Sequence, residues 1–440
     1  MIKRLMIKNF KCIRELNIEL APLTIFVGPN GSGKSTILEA LALMSQCSRK
    51  NVGIRSDAAI KGELLEYDEV KSILHKGLDD AELGLGIAID IRTEELKGSV
   101  EADMERFSDQ PAYLDFLRKL EIEGKGSVEV SYHYLTGKSY YSQSFMIDGH
   151  TISVKYDGIK QEFESEPKCQ LRASDVFLPT VFTIANISSA FCGELVEVLK
   201  NKLSKVYYLS TERGAFPWRY EAKSEKHRWV GKRGEHTLEI LAELMKPEHD
   251  EKRLHYEILC ERLGVKDVWA GWDYYNFLTS NYRDPYFNSS HEFPSLGYGS
   301  RQLLTVTAQL AYSELDSIVL VEEPEISLHP KLQRFLPILF GKAVNEGKQI
   351  LVTTHSSYFP LSLDLVLEGF PIEGQTTRGF RSYEVKLSPN DVMVYHVYRD
   401  EKEGSTKIEK LALDEGGLKE GIPSFIDVER EIFEKFISRE

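Results

Sequence analysis

The run Gly28-Pro29-Asn30-Gly31-Ser32-Gly33-Lys34-Ser35 constrains this 440-residue chain more than any other feature. It matches G-x-x-x-x-G-K-[ST], follows the short apolar run Thr24-Ile25-Phe26-Val27 and precedes Ile37 to Met44, which has one apolar face. That order implies a buried parallel strand, a glycine-rich turn and a helix. The glycines let the backbone curl so that successive N–H groups point inward at phosphate oxygens, and the helix N-terminus adds partial positive charge. Lys34 is expected to reach the β and γ phosphates of a nucleotide, and the Ser35 hydroxyl to ligate Mg2+, which takes few protein ligands. The candidate nucleotide-binding residues are Gly28, Asn30, Gly31, Ser32, Gly33, Lys34, Ser35 and Thr36, with ATP and Mg2+ as cofactors.

Three later segments fit the same chemistry. Ile318-Val319-Leu320-Val321-Glu322-Glu323-Pro324-Glu325 is a buried-strand pattern that ends in carboxylates. Open α/β sheets place ligand chemistry at such carboxyl ends. Glu322 would hold Mg2+, directly or through water, and Glu323 would act as general base on the attacking water. Gln349-Ile350-Leu351-Val352-Thr353-Thr354-His355 is a further strand that ends in a histidine. Between insertion and acidic strand, Ser295-Leu296-Gly297-Tyr298-Gly299-Ser300 reads as a Gly-Ser turn with a free helix N-terminus, an anion site. The helix itself is expected over Leu303–Leu310. Three parallel strands thus end in Gly/Lys, Glu/Glu and His on one sheet edge, an arrangement suited to phosphoryl transfer, which needs positioning and charge neutralisation.

The identity Gly-Pro-Asn-Gly-Ser-Gly-Lys-Ser-Thr, preceded by Ile7-Lys8-Asn9-Phe10-Lys11, resembles the ABC and SMC/RecF branch of P-loop ATPases. Glu322 to Pro330 resembles the E-E-P-E-x-x-L-H-P segment of OLD-like ATPases and their relatives in bacterial defence systems. RecF and SMC proteins usually carry Asp where this chain has Glu322. Gly297-Tyr298-Gly299-Ser300-Arg301-Gln302 is similar to the OLD-like form of the ABC signature. The resemblance implies that Gly299 and Ser300 contact the γ-phosphate held by a second subunit, and that His355 is the switch histidine. A lone histidine is otherwise more often structural. The resemblance also implies an ATP-dependent homodimer or higher homo-oligomer. Val206-Tyr207-Tyr208-Leu209-Ser210-Thr211-Glu212-Arg213 resembles a Y-L-x-x-x-R element of the family. Arg213 then senses phosphate or Mg2+-bound water, or else forms a surface ion pair. Gln46 and Gln170 are both open candidates for the sensing glutamine of ABC proteins.

The expected fold class is α/β: an ABC-type P-loop NTPase sheet flanked by helices, with an inserted antiparallel β subdomain and a helical subdomain. Residues 1–48 and 291–387 would form the ATPase core, 49–290 the insertion, and 388–440 C-terminal strands and a helix. Within the insertion, 126–165 alternates like a meander, while 186–206 and 234–263 read as helices. Heptads are not sustained, so coiled-coil arms are not expected. No stretch of about 18 apolar residues suggests a membrane span. The five scattered cysteines lack a CxxC pair, which fits a reducing cytoplasm.

A net charge of −13 disfavours non-specific coating of nucleic acid. Residues 218–233 nevertheless interleave Arg219, Lys223, Lys226, His227, Arg228, Lys232 and Arg233 with Trp218, Tyr220 and Trp229, a pattern suited to nucleic acid or to a solvated face. The Val230-Gly231-Lys232-Arg233-Gly234-Glu235 part resembles a V-G-x-x-G-E segment of the same family, which implies a role in the fold for some of it. No D-x-D follows His355, so a TOPRIM nuclease is not expected in this chain. Two functions follow: an ATPase coupled to nucleic-acid sensing or effector control in defence or repair, or a slow-turnover scaffold for a separately encoded nuclease.

Overall fold

The computed structural model describes residues 1–426 apart from 51, 53, 78–81, 121–125, 138, 139, 148, 158–161, 167–189, 215–219, 222–226, 250, 251, 254–256, 258, 259, 262, 263, 276, 285, 286, 377 and 378. Gln170 and Cys169 lie outside the described residues, as does much of 218–233, and of the C-terminal helix expected after Pro423 only its first turn, 423–426, is described. The chain divides into two compact units. One holds Met1–Leu20, Ser35–Val206 and Arg399–Lys407; the other holds Ala21–Lys34, Tyr207–Tyr398 and Ile408–Glu440. The stretch 1–48, a single piece in the sequence reading, is therefore shared between them.

The first unit is built on a seven-stranded antiparallel sheet. Its order is Ile13–Glu19, Ile2–Phe10, Leu83–Arg92, Ser127–Thr136, Tyr140–Ile147, His150–Asp157 and Glu162–Glu166. The last four strands are the meander expected from alternation. The opening strand is joined to them through Leu83–Arg92, in a register that sets Leu5 beside Ile87 and Ile7 beside Leu85. Helices Thr93–Arg106, Pro111–Lys119 and Ala190–Ser204 belong to this unit. Buried Asp103 accepts from the Tyr113 hydroxyl at 2.8 Å and the Ala190 amide at 2.7 Å, so one carboxylate satisfies a donor at the start of the third helix.

The second unit carries the sheet that matters for chemistry. Its order is Thr406–Leu411, Val392–Arg399, Leu23–Val27, Gln349–Thr354, Ile318–Glu322 and Val206–Leu209. Leu23–Val27 is parallel to both Val392–Arg399 and Gln349–Thr354, and Gln349–Thr354 is parallel to Ile318–Glu322. Leu23–Val27, Ile318–Glu322 and Gln349–Thr354 are buried at every position, which is why each reads as a mainly apolar run. The register aligns their ends: Val27 lies beside Thr354, and Glu322 beside Thr353. A smaller antiparallel sheet of Tyr220–Glu221, Phe277–Arg283, Lys266–Trp272 and Ser290–Glu292 also belongs to this unit, with the helix Thr237–Leu244. Among the described residues, no helix is long and apolar enough to cross a membrane.

Candidate functional site

Beyond Val27 the chain turns through Gly28–Gly33 before the helix Lys34–Lys50 begins. Gly31 and Gly33 hold φ of 72° and 101°, conformations that a side chain would strain. Asn30 and Gly31 are exposed at the crest, while Ser32 is buried. Lys34 is also buried, and its ammonium donates to the carbonyls of Gly28 at 2.9 Å and Pro29 at 2.8 Å. Its Nζ lies 3.4 Å from His355 Nδ1. The far side of that ring completes a chain of contacts, since His355 Nε2 is 3.1 Å from Glu323 Oε1. The three residues read separately from three segments thus meet end to end.

Charge in this cluster is unevenly poised. Burial pulls the Lys34 ammonium down to about 8, although Glu323, Glu325 and Glu322 all pull it up. The hydrogen bond from His355 holds the Glu323 carboxyl below its ordinary range, against the effect of burial, so Glu323 is ionised at neutral pH. Glu325 is pushed upward by burial, although the His355 amide donates to its Oε1 at 2.6 Å. That bond fixes the backbone that carries the histidine. Glu325 was visible in sequence only as one more acid of a motif; its role follows from the turn that folds it back.

The acidic turn is strained where it matters. Glu323 has φ of 42°, an uncommon conformation for a residue with a side chain. Its amide donates to the Thr353 carbonyl at 2.9 Å. Its carbonyl accepts from Arg213 Nη2 at 2.7 Å, while Arg213 Nη1 donates to the carbonyls of Ser210 and Glu322. Arg213 has no exposed surface, and burial lowers its pKa to about 10. Neither sequence reading of Arg213, as a phosphate sensor or as a surface ion pair, describes these contacts. Its fork clamps the backbone of the acidic turn. Arg213→Met is expected to destabilise the protein by about 3 kcal/mol, because buried carbonyls lose their donors. Arg213→Lys should recover only part of that, because an ammonium lacks the planar fork. Urea unfolding of the three proteins measures both, and a loss under about 1 kcal/mol for Met would refute the clamp.

The helix over the expected signature runs Tyr298–Tyr312, so Gly299 and Ser300 form its first turn rather than a separate turn before it. Gly299 is buried, and a Cβ there would lie 2.4 Å from the Ser327 carbonyl. Only glycine lets this helix start close against the turn after the acidic strand. Ser300 remains partly exposed beside the exposed N-cap, Gly297. Ser35 and Thr36 open the helix Lys34–Lys50, where Thr36 Oγ1 accepts from the Cys12 thiol at 3.3 Å. Gln46 is fully engaged elsewhere: its amide pins the loop 59–65 through Ala59, Leu64 and Leu65. In the basic segment, Trp229 is buried against Tyr207, Lys232 lies over the Tyr208 ring, and Arg233 pairs with Glu212.

The donor set suits a nucleotide with a hard cation. A curled glycine loop offers amides, Lys34 brings a buried positive charge, and the carboxylate of Glu322 supplies the oxygen chemistry that Mg2+ prefers. Residues 1–228 match a family model described as "AAA ATPase domain", and residues 231–362 match one described as "AAA domain, putative AbiEii toxin, Type IV TA system". Over 44 residues, 10% of this chain and 8% of the relative, the sequence is 54% identical to OLD nuclease of Thermus scotoductus. Over 92 residues, 20% of this chain and 24% of the relative, it is 34% identical to DNA replication and repair protein RecF of Proteus mirabilis. RecF of Corynebacterium jeikeium is 42% identical over 60 residues, 13% of this chain and 14% of its own. The chain therefore aligns with a quarter or less of each curated relative. Among solved structures, an SMC head bound to the C-terminal winged-helix domain of ScpA aligns over 94% of this chain and 98% of its own, with a TM-score of 0.49 and 12% identity.

Proposed function

This chain belongs to the AAA ATPase domain family, and from that premise we propose that it is an Mg2+-dependent ATPase that closes as a dimer around ATP and reopens on hydrolysis. The observation that carries the reading is the contact chain Lys34–His355–Glu323 at one sheet edge. Lys34 and the loop amides bind the β and γ phosphates. Glu322 and the Ser35 hydroxyl would hold Mg2+, which would neutralise phosphate charge. Glu323 accepts a proton from the attacking water, and His355 sits where it can steady both Glu323 and the γ-phosphate. The first turn at Gly299 and Ser300 serves the site of the partner subunit, whose nucleotide gains contacts only in the closed form. Closure is favoured by that difference in affinity alone.

For the biological output, the local kinship with RecF and OLD nuclease supports a role in DNA repair or defence, by nucleic-acid sensing or by control of an effector. The scaffold reading, in which the ATP-bound dimer holds a separately encoded nuclease, gains from the basic segment, where Trp229 packs on Tyr207 and Lys232 lies over the Tyr208 ring, although Arg228 and Arg233 are exposed. Steady-state ATPase assays with and without duplex DNA at physiological salt separate the two. Stimulation supports sensing; indifference, with a stable effector complex, supports the scaffold. The shared site is tested by Ser300→Arg, which should lower turnover about 100-fold, the scale of losing a transition-state donor, while nucleotide binding to the monomer persists. Unchanged turnover in Ser300→Arg would remove the dimer from the reading.

A further inference from the structure

Away from the nucleotide residues, His227, His236 and Glu239 bring three potential metal-ligating atoms within 4.8 Å of one another. His227 Nδ1 lies 2.8 Å from Glu239 Oε2, and the two side chains are 22% and 12% exposed. The rings of His227 and His236 stack with centroids 3.4 Å apart and planes inclined by 10°. We propose that these residues form a binding site for a divalent transition-metal ion of the zinc type, unrelated to the Mg2+ of ATP hydrolysis.

The donor chemistry selects the ion. Two imidazole nitrogens and one carboxylate oxygen suit Zn2+ and its neighbours, whereas Mg2+ and Ca2+ favour all-oxygen sites. Ligand bonds of about 2.0–2.1 Å place tetrahedral donors roughly 3.4 Å apart, so a set already within 4.8 Å closes by side-chain rotation. One ring must turn out of the stack, because parallel rings aim their nitrogens side by side and not at a common point.

The frame beneath the set is held in place. His236 is the N-cap of Thr237–Leu244, and its ring makes no capping bond. Its amide donates to the Val230 carbonyl at 2.8 Å. The Val230 amide donates to Gln309 Oε1 at 3.0 Å, and Thr237 Oγ1 to the Gly234 carbonyl at 2.8 Å. Gln309 belongs to the helix Tyr298–Tyr312, so Val230 ties the base of the set to that helix, and the bound ion would fasten His227 to the start of Thr237–Leu244. Such backbone anchoring is what a structural metal site requires of its support.

The test uses the full chain, stripped with chelator and titrated with ZnCl2 alone against a chromophoric zinc indicator. One equivalent should bind per chain. His227→Ala and His236→Ala should each weaken binding by at least about 100-fold, the upper end of what losing an outer-shell partner costs, and Glu239→Gln by at least about 10-fold. Stoichiometric CoCl2 should give the visible absorption of a tetrahedral site, and zinc should raise the Tm of the wild type but not of the double histidine variant. Zinc binding of wild-type strength in a folded His227→Ala/His236→Ala protein overturns the proposal. So does a wild-type chain that gives no tetrahedral cobalt spectrum, which would leave a stacked histidine pair hydrogen-bonded to Glu239.

Discussion

Glu323→Gln is expected to slow ATP turnover by about 10²–10⁴-fold, the range ascribed to a positioned general base, with nucleotide binding intact. The substitution suits this fold because little else depends on the carboxylate. Arg213 clamps the turn through main-chain carbonyls, and the amide of residue 323 bonds to the Thr353 carbonyl, so the strained backbone at φ 42° is held from outside the side chain. A carboxamide oxygen can still accept from His355 Nε2, the contact that Glu323 makes at 3.1 Å. What disappears is the ionised oxygen that takes the proton. Closed dimers should therefore accumulate with ATP, and size-exclusion chromatography with light scattering would detect them. Wild-type turnover in Glu323→Gln would move the base elsewhere, with Glu325 the next carboxylate to try.

The sheet edge was legible because its backbone is locally encoded. Leu23–Val27, Ile318–Glu322 and Gln349–Thr354 are buried on both faces, so each prints a mainly apolar run, and Gly28, Glu322 and His355 at the ends of those runs mark the sheet edge. Long-range pairing left no such mark. Ile2–Phe10 joins the meander through Leu83–Arg92, and nothing in the period of either strand names its partner. Arg213 shows a second limit. Arginine is seldom fully buried, so sequence weighed a phosphate contact against a surface ion pair and did not consider a clamp inside the protein. Gln46 was opaque for the same reason: an amide that satisfies the backbone of 59–65 looks in sequence like any glutamine near the glycine loop. The first turn of Tyr298–Tyr312 was read as a turn because its glycine suggests one, whereas that glycine lets the helix approach the Ser327 carbonyl.

Lys34→Met is expected to abolish ATP binding and yet stabilise the folded chain at neutral pH. The first outcome follows from removing the charge that faces the phosphates, the second from burial, which lowers the Lys34 ammonium from its ordinary 10.5 to about 8. The unfolded chain then binds more protons between pH 8 and 10.5, so stability rises with pH across that window, and below pH 8 the buried charge opposes folding in full. Methionine removes the opposition and loses the bonds to the Gly28 and Pro29 carbonyls, leaving a net gain of about 1 kcal/mol. A triphosphate against Nζ favours the charged form, so ATP binding above pH 8 takes up a proton. The dissociation constant of the wild type should be flat below pH 8 as far as Lys34 governs it, then rise by up to about tenfold per pH unit. Lys34→Arg, whose guanidinium keeps its charge, should bind more weakly at neutral pH but lose the alkaline dependence. Calorimetric titration at neutral and alkaline pH, paired with urea unfolding, reads both effects. An affinity that stays level into the alkaline range, or a Lys34→Met chain less stable than the wild type, would mean that Lys34 is not the strained, buried charge on which nucleotide capture is built here.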